Sequence, residues 1–249
     1  AKRGERLVEA TAVASGPRLR DFDMTLHRGE IVGLGGLLGS GRTEAARALF
    51  GVDPILSGKV HLHGRAVEFV RPADAIACAM GLLTEDRKAD GIVPDMSVRE
   101  NMTLALLPRL ARGGRIDQAA ERELVERFVR SLGIKTASID QPLRELSGGN
   151  QQKVVIARWL ATEPDILILD EPTRGVDVGA KREIQTIIRK YVDQGFGVVL
   201  ISSEFEELVE GADRIVVMHE GRSLRELTNP GITENALVSA LAHHDEAAA

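Results

Sequence analysis

The sequence predicts an α/β fold, a mainly parallel sheet flanked by helices around a P-loop NTPase core. Three observations predict it. Short apolar runs recur between turn residues, helical periodicity fills the gaps, and the first of the four clearest runs leads into "GLLGSGRT" at 36–43.

The runs are "GEIVGL" (29–34), "DILILD" (165–170), "GVVLIS" (197–202) and "RIVVMH" (214–219). Each is almost continuously apolar, as a strand buried on both faces of a parallel sheet must be. Between two of them, Val176, Ala180, Ile184, Ile187 and Tyr191 share one helical face, while Lys181 to Lys190 supply the polar side. Alternating strands and helices imply right-handed crossovers. The middle differs. Residues 92–160 contain no comparable run, but they hold "SVRENMTLALL" and the charged "DQAAERELVERFVRSLG". In the latter, Leu124, Phe128 and Leu132 form a seam, with Glu123–Arg127 and Glu126–Arg130 as i,i+4 pairs. This stretch reads as a helical subdomain inserted in an α/β core of approximately 7–91 and 161–228, the whole forming one nucleotide-binding domain over 1–249. The end, 243–249, reads as a disordered tail in which His243 and His244 find no partner for a metal site.

Composition narrows the function. A chain of 249 residues that is 43% hydrophobic can bury one substantial core. A net charge of −5 argues against nucleic acid or an anionic membrane surface as the main partner. The single cysteine, Cys78, excludes an intramolecular disulfide framework and every multi-cysteine metal site; it is expected on the apolar side of a short helix. No apolar run approaches the roughly 18 residues of a membrane span, and the N-terminus shows no signal-peptide pattern, so a cytoplasmic chain is expected.

The chemistry starts at the glycine-rich loop. Gly36, Gly39 and Gly41 allow successive backbone amides to turn inward as an anion-binding nest. The helix that follows points its positive end at the same place. Ser40 and Glu44 flank the cradle, and Thr43 offers the hydroxyl expected on Mg²⁺. A dinucleotide G-x-G-x-x-G does not fit, because the third glycine would be Leu38 or Glu44. Arg42 stands where the pattern has lysine: it keeps the charge but offers a larger planar fork. Further on, "ILILDEPT" (166–173) puts Asp170 at the carboxyl end of a buried strand, where ligands of open α/β sheets collect. Asp170 suits Mg²⁺, and the adjacent Glu171 can polarise an attacking water.

"LSGGNQQK" (146–153), followed by the helix-forming "VVIARWLA", resembles the L-S-G-G-Q signature of ABC ATPases. With the P-loop and "DEPT", the resemblance covers about residues 7–242. "GLLGSGRTE", "EDRKADG", "SVRENM" and "DEPTRGVDVGAK" further resemble the second nucleotide-binding domain of ribose/galactose-type monosaccharide importers, in which two such domains are fused. The resemblance implies the ABC ATPase fold with an N-terminal antiparallel β region, and ATP with Mg²⁺ at the P-loop. It also implies that Ser147, Gly148, Gly149 and Asn150 act in trans on nucleotide held by the partner, with Asp177 at that interface. Ser147 is expected to N-cap the signature helix through its side chain. The implied partners are an N-terminal nucleotide-binding domain or a homodimer mate, a transmembrane permease and, indirectly, an extracytoplasmic sugar-binding protein. The implied location is the cytoplasmic face of the membrane.

Against the family pattern, four positions disagree with a hydrolytic site. Arg42 replaces lysine, Glu85 replaces the glutamine that meets Mg²⁺ and water, adding negative charge beside the γ-phosphate while keeping an oxygen ligand for Mg²⁺, Ser203 replaces the switch histidine, and Ala14 and Ser15 offer no ring for adenine. The expectation is an asymmetric domain whose own P-loop binds nucleotide with little turnover while its signature completes the partner's site. The alternative is a competent homodimeric ATPase acting as a soluble non-transport factor, which would need its own lysine and histidine.

Overall fold

The computed structural model describes residues 4–112 and 115–247. Two compact units divide the chain. One comprises Ala1–Leu82, Asp165–Glu171 and Arg189–Ala249, and the other Leu83–Pro164 and Pro172–Ile188.

The first unit begins with antiparallel strands β1 (Arg6–Ser15) and β2 (Leu19–His27), followed by β3 (Ile31–Gly35) and helix α1 (Arg42–Leu49). The hairpin strands β4 (Ser57–Leu62) and β5 (Arg65–Val67), helix α2 (Pro72–Ala77) and strand β6 (Met80–Leu83) complete its first stretch. In the second unit, α3 (Val98–Thr103), α4 (Leu107–Leu110) and the short antiparallel pair β7 (Ala111–Arg112) and β8 (Arg115–Ile116) precede α5 (Gln118–Ser131) and α6 (Gly148–Leu160). After β9 (Ile166–Asp170) come α7 (Val178–Asp193), β10 (Gly197–Ile201), α8 (Phe205–Gly211), β11 (Arg214–His219), β12 (Arg222–Thr228) and α9 (Glu234–Ala247).

The sheet order is β5-β4-β1-β2-β12-β11-β3-β10-β9-β6. Strands β3, β9 and β10 are buried at every residue, which explains their uninterrupted apolar sequences. They run parallel, with Ile201 opposite both Leu34 and Asp170. That register brings three carboxyl ends level, so the chain leaves the sheet at Gly36, Glu171 and Ser202 along one edge.

Elsewhere the first unit rests on a buried cation. Arg214 is 1% exposed; its Nε lies 2.6 Å from Glu30 Oε1 and its Nη1 pairs with Glu226. In the second unit, Arg158 of α6 is buried and donates to the carbonyls of Gly91 and Asn101. Burial alone brings its guanidinium down to about 10.

Several local expectations differ from the structure. Cys78 is exposed at the C-cap of α2 rather than on an apolar face, because that short helix buries only Ala75. The α5 seam is Glu121, Val125, Phe128 and Leu132, with Leu124 only half-buried. Glu121 is tolerated inside because Arg99 Nη1 and Thr103 Oγ1 donate to it at 2.7 and 2.8 Å. Glu126 and Arg130 do pair, at 3.6 Å. Helix α9 continues to Ala247, past the start of the expected tail, and residues 248–249 lie outside the described residues.

Candidate functional site

The glycine loop has the crowded geometry of a cradle. A Cβ on Gly36 would stand 2.4 Å from the Met218 carbonyl oxygen and 2.5 Å from Ser40 Oγ. Gly39 and Gly41 adopt φ of 79° and 98°, conformations that favour glycine. Gly41 caps α1 with no side-chain hydrogen bond, so the first amides of that helix remain available to an anion. Ser40 is 5% exposed, and its hydroxyl has no hydrogen-bond partner among the described residues. Thr43 follows in the first turn, half-buried, and Glu44 accepts from Arg18 at 3.3 Å.

The buried guanidinium of Arg42 donates from Nη1 to the Ser202 carbonyl at 2.6 Å and stands 3.9 Å from Glu171 Oε1. The fork reaches the ends of β9 and β10 because the strand register aligns them with the loop. Glu171 is 8% exposed and adopts φ 52°, a strained conformation for a residue with a Cβ. Burial pushes its carboxyl above the ordinary 4.5, while the Ser203 hydrogen bond and the Arg42 charge pull the other way. Ser203 donates to Glu171 Oε2 at 3.1 Å. Asp170, one residue earlier, is 2% exposed. Thus the structure brings the buried Arg42 and Glu171 together with Ser203, which approaches Glu171 from the exposed side. Ser15, near the expected adenine position, is buried and donates to the Pro54 carbonyl at 2.8 Å.

The second unit holds the signature. Ser147 is the N-cap of α6, yet its side chain makes no cap hydrogen bond; its oxygen accepts from Asn150 Nδ2 at 2.9 Å instead. Gly149 is required by packing, since a Cβ there would lie 2.6 Å from Ala180 Cβ. At Gly148 the space is less restricted: a Cβ there would lie 3.3 Å from both Arg87 Nη2 and the Gly175 carbonyl oxygen, tight but short of a clash. Asp177 Oδ1 accepts from the Ala180 amide at 2.9 Å and so caps α7. Ser147, Gly149, Asn150 and Asp177 line a cavity of about 290 Å³ together with Lys153 and Glu183. Those last two pair at 2.5 Å; Lys153 closes the quoted "LSGGNQQK" stretch, whereas no sequence pattern pointed to Glu183. Glu85 belongs to this unit too, where Arg174 pairs with its carboxylate.

Comparison with known proteins decides the family. A family profile described as ABC transporter matches residues 19–174. The chain belongs to the ABC transporter family. Among curated relatives of this ABC chain, the ribose import ATP-binding protein RbsA of Chelativorans sp. (strain BNC1) is 46% identical over 237 residues. That alignment covers 95% of the chain and 47% of the relative. RbsA of Bacillus licheniformis is 42% identical over 236 residues, covering 95% and 48%. The chain therefore spans about half the length of the curated relatives it matches. Its fold is the ABC ATPase fold. The dimeric ATP-binding cassette MJ0796 in a post-hydrolysis state superimposes with a TM-score of 0.77 at 22% identity, covering 90% of this chain and all of that one. The ADP conformation of the cassette MJ1267 gives 0.78 at 20%, covering 94% and 95%. No helix among the described residues is long and apolar enough to cross a membrane.

Proposed function

We propose that this ABC domain is the second of two fused ATPase halves in an importer of simple sugars, working on the cytoplasmic face of the membrane with a transmembrane permease. A sugar-binding protein would deliver solute to that permease. The names of the relatives support the sugar, and the half-length match supports the pairing. In this reading the domain's own P-loop binds ATP but cleaves it poorly, while Ser147, Gly148 and Gly149 complete the partner's site and Asp177 lies at the interface.

The observation that carries the asymmetry is the contact of Arg42 with Glu171 and the Ser202 carbonyl. A general base must be free to take a proton from water. Glu171 instead faces a guanidinium and accepts from Ser203, a hydroxyl with no titration near neutral pH. Nucleotide phosphates still find the loop amides and the α1 N-terminus, which ask nothing of Arg42.

The chain fits Mg²⁺ in its usual manner. Thr43 and the buried Asp170 supply hard oxygens, Ser40 adds a buried hydroxyl lacking a partner, and phosphate oxygens and waters complete such a shell. When bound, the ion neutralises charge developing on the phosphates.

The test pairs this chain with its N-terminal half. Glu171→Gln is expected to leave the ATPase rate of the pair within about twofold, whereas the equivalent change in the other half removes it, on the order of 10²–10³-fold. If Glu171→Gln stops the pair, the asymmetric reading is wrong.

A further inference from the structure

The signature residue Asn150 is turned inward, and this carries an inference about Ser147. The Lys135 amide donates to Asn150 Oδ1 at 2.8 Å, and Asn150 Nδ2 donates to Ser147 Oγ at 2.9 Å. The first bond fixes the second. A backbone N–H is a donor only, so it pins the oxygen of the side-chain amide and leaves the NH₂ group for Ser147. A hydroxyl has one proton and two acceptor sites. Because Asn150 approaches Oγ as a donor, Ser147 cannot direct its own proton at Asn150 and keeps it for another acceptor.

We propose that Asn150 is a positioning residue that sets Ser147 as a hydrogen-bond donor toward the nucleotide phosphate bound across the interface, and does not itself touch nucleotide. This rests on the proposed trans role of the signature. Ser147 is exposed on the 290 Å³ cavity, so its proton has an open side to face. The anchor at Lys135 lies just beyond α5, which ties the hydroxyl's polarity to the segment joining α5 to α6.

Asn150→Asp tests this because it is isosteric and reverses the polarity at one end only. The carboxylate still accepts from the Lys135 amide, but it now also accepts from Ser147, which turns its proton inward. The experiment measures kcat and KM for ATP in the paired protein for Ser147→Ala, Asn150→Asp and the double variant, with thermal midpoints of each. Ser147→Ala and Asn150→Asp are each expected to lower kcat roughly 10- to 100-fold, the worth of a donor to a charged group. Their midpoints should stay near that of the parent. In the Ser147→Ala background, Asn150→Asp should then cost no more than about twofold, because its route is already gone. A full loss persisting in that background would show that the new charge acts directly and would overturn the proposal alone. An unchanged kcat in Ser147→Ala would remove the trans role of the signature and the proposal with it.

Discussion

If the proposed pairing holds, Ser147→Arg is expected to abolish turnover when this chain is paired with an N-terminal ATPase half, while its own nucleotide affinity stays nearly unchanged. A side chain of that size at the exposed α6 N-cap projects over the cavity that Ser147 lines with Asn150 and Asp177, and so obstructs whatever would approach it. Losing a preorganised donor costs on the order of 10²–10³ in rate, and blocking closure adds to that. The affinity arm is the discriminating one. It is read by titrating labelled ATP into the single chain: the P-loop lies in the other compact unit, so a fall in affinity would mean that Ser147 serves its own nucleotide.

The second large effect concerns stability. Arg214→Ala should destabilise the fold by about 3–5 kcal/mol, the cost of leaving a buried carboxylate without its partner. At this chain length that lowers the thermal midpoint by roughly 10 °C. Burial would raise the Glu30 carboxyl, but the Arg214 hydrogen bond and charge, helped by His27, outweigh it and hold Glu30 below the ordinary 4.5. The sign follows. The ionised pair contributes its stability above pH 4.5 and loses it as pH falls through the lowered value of the folded state. The variant should lose that acid-limb dependence, as thermal unfolding across pH 3–7 would show. Pairing Arg214→Met with Glu30→Gln should recover most of the loss, since the charge and its partner then leave together.

What the sequence disclosed follows a physical rule. Runs such as "ILILD" and "GVVLI" admit only a strand buried on both faces, and both form one. Glycines at 36, 39 and 41 in that spacing announce a backbone that must turn tightly, and it does. Polar side chains were harder to read, because each has several possible partners. Arg42 offers a long side chain with many possible partners, and its contacts with Ser202 and Glu171 depend on the register of β3, β9 and β10, which the sequence does not show. Arg214 and Glu30 are 184 positions apart, so neither hints at the other in sequence. Asn150 sits within a motif that suggests outward contact, yet its partners are Lys135, fifteen residues back, and Ser147. Glu121 looks like one more surface charge on α5, but Arg99 and Thr103 draw it inside.

The central claim is that an arginine leaning on the base leaves the cradle able to hold ATP and unable to cleave it. The direct test is single-turnover hydrolysis with Mg²⁺ and excess protein over labelled ATP, on this chain paired with an N-terminal half whose own catalytic carboxylate has been removed, so that only this P-loop could cleave. Saturable binding is expected, with γ-phosphate released no faster than from ATP in buffer, in the parent and in Glu171→Gln alike. Release from the parent that is fast and disappears in Glu171→Gln would contradict it.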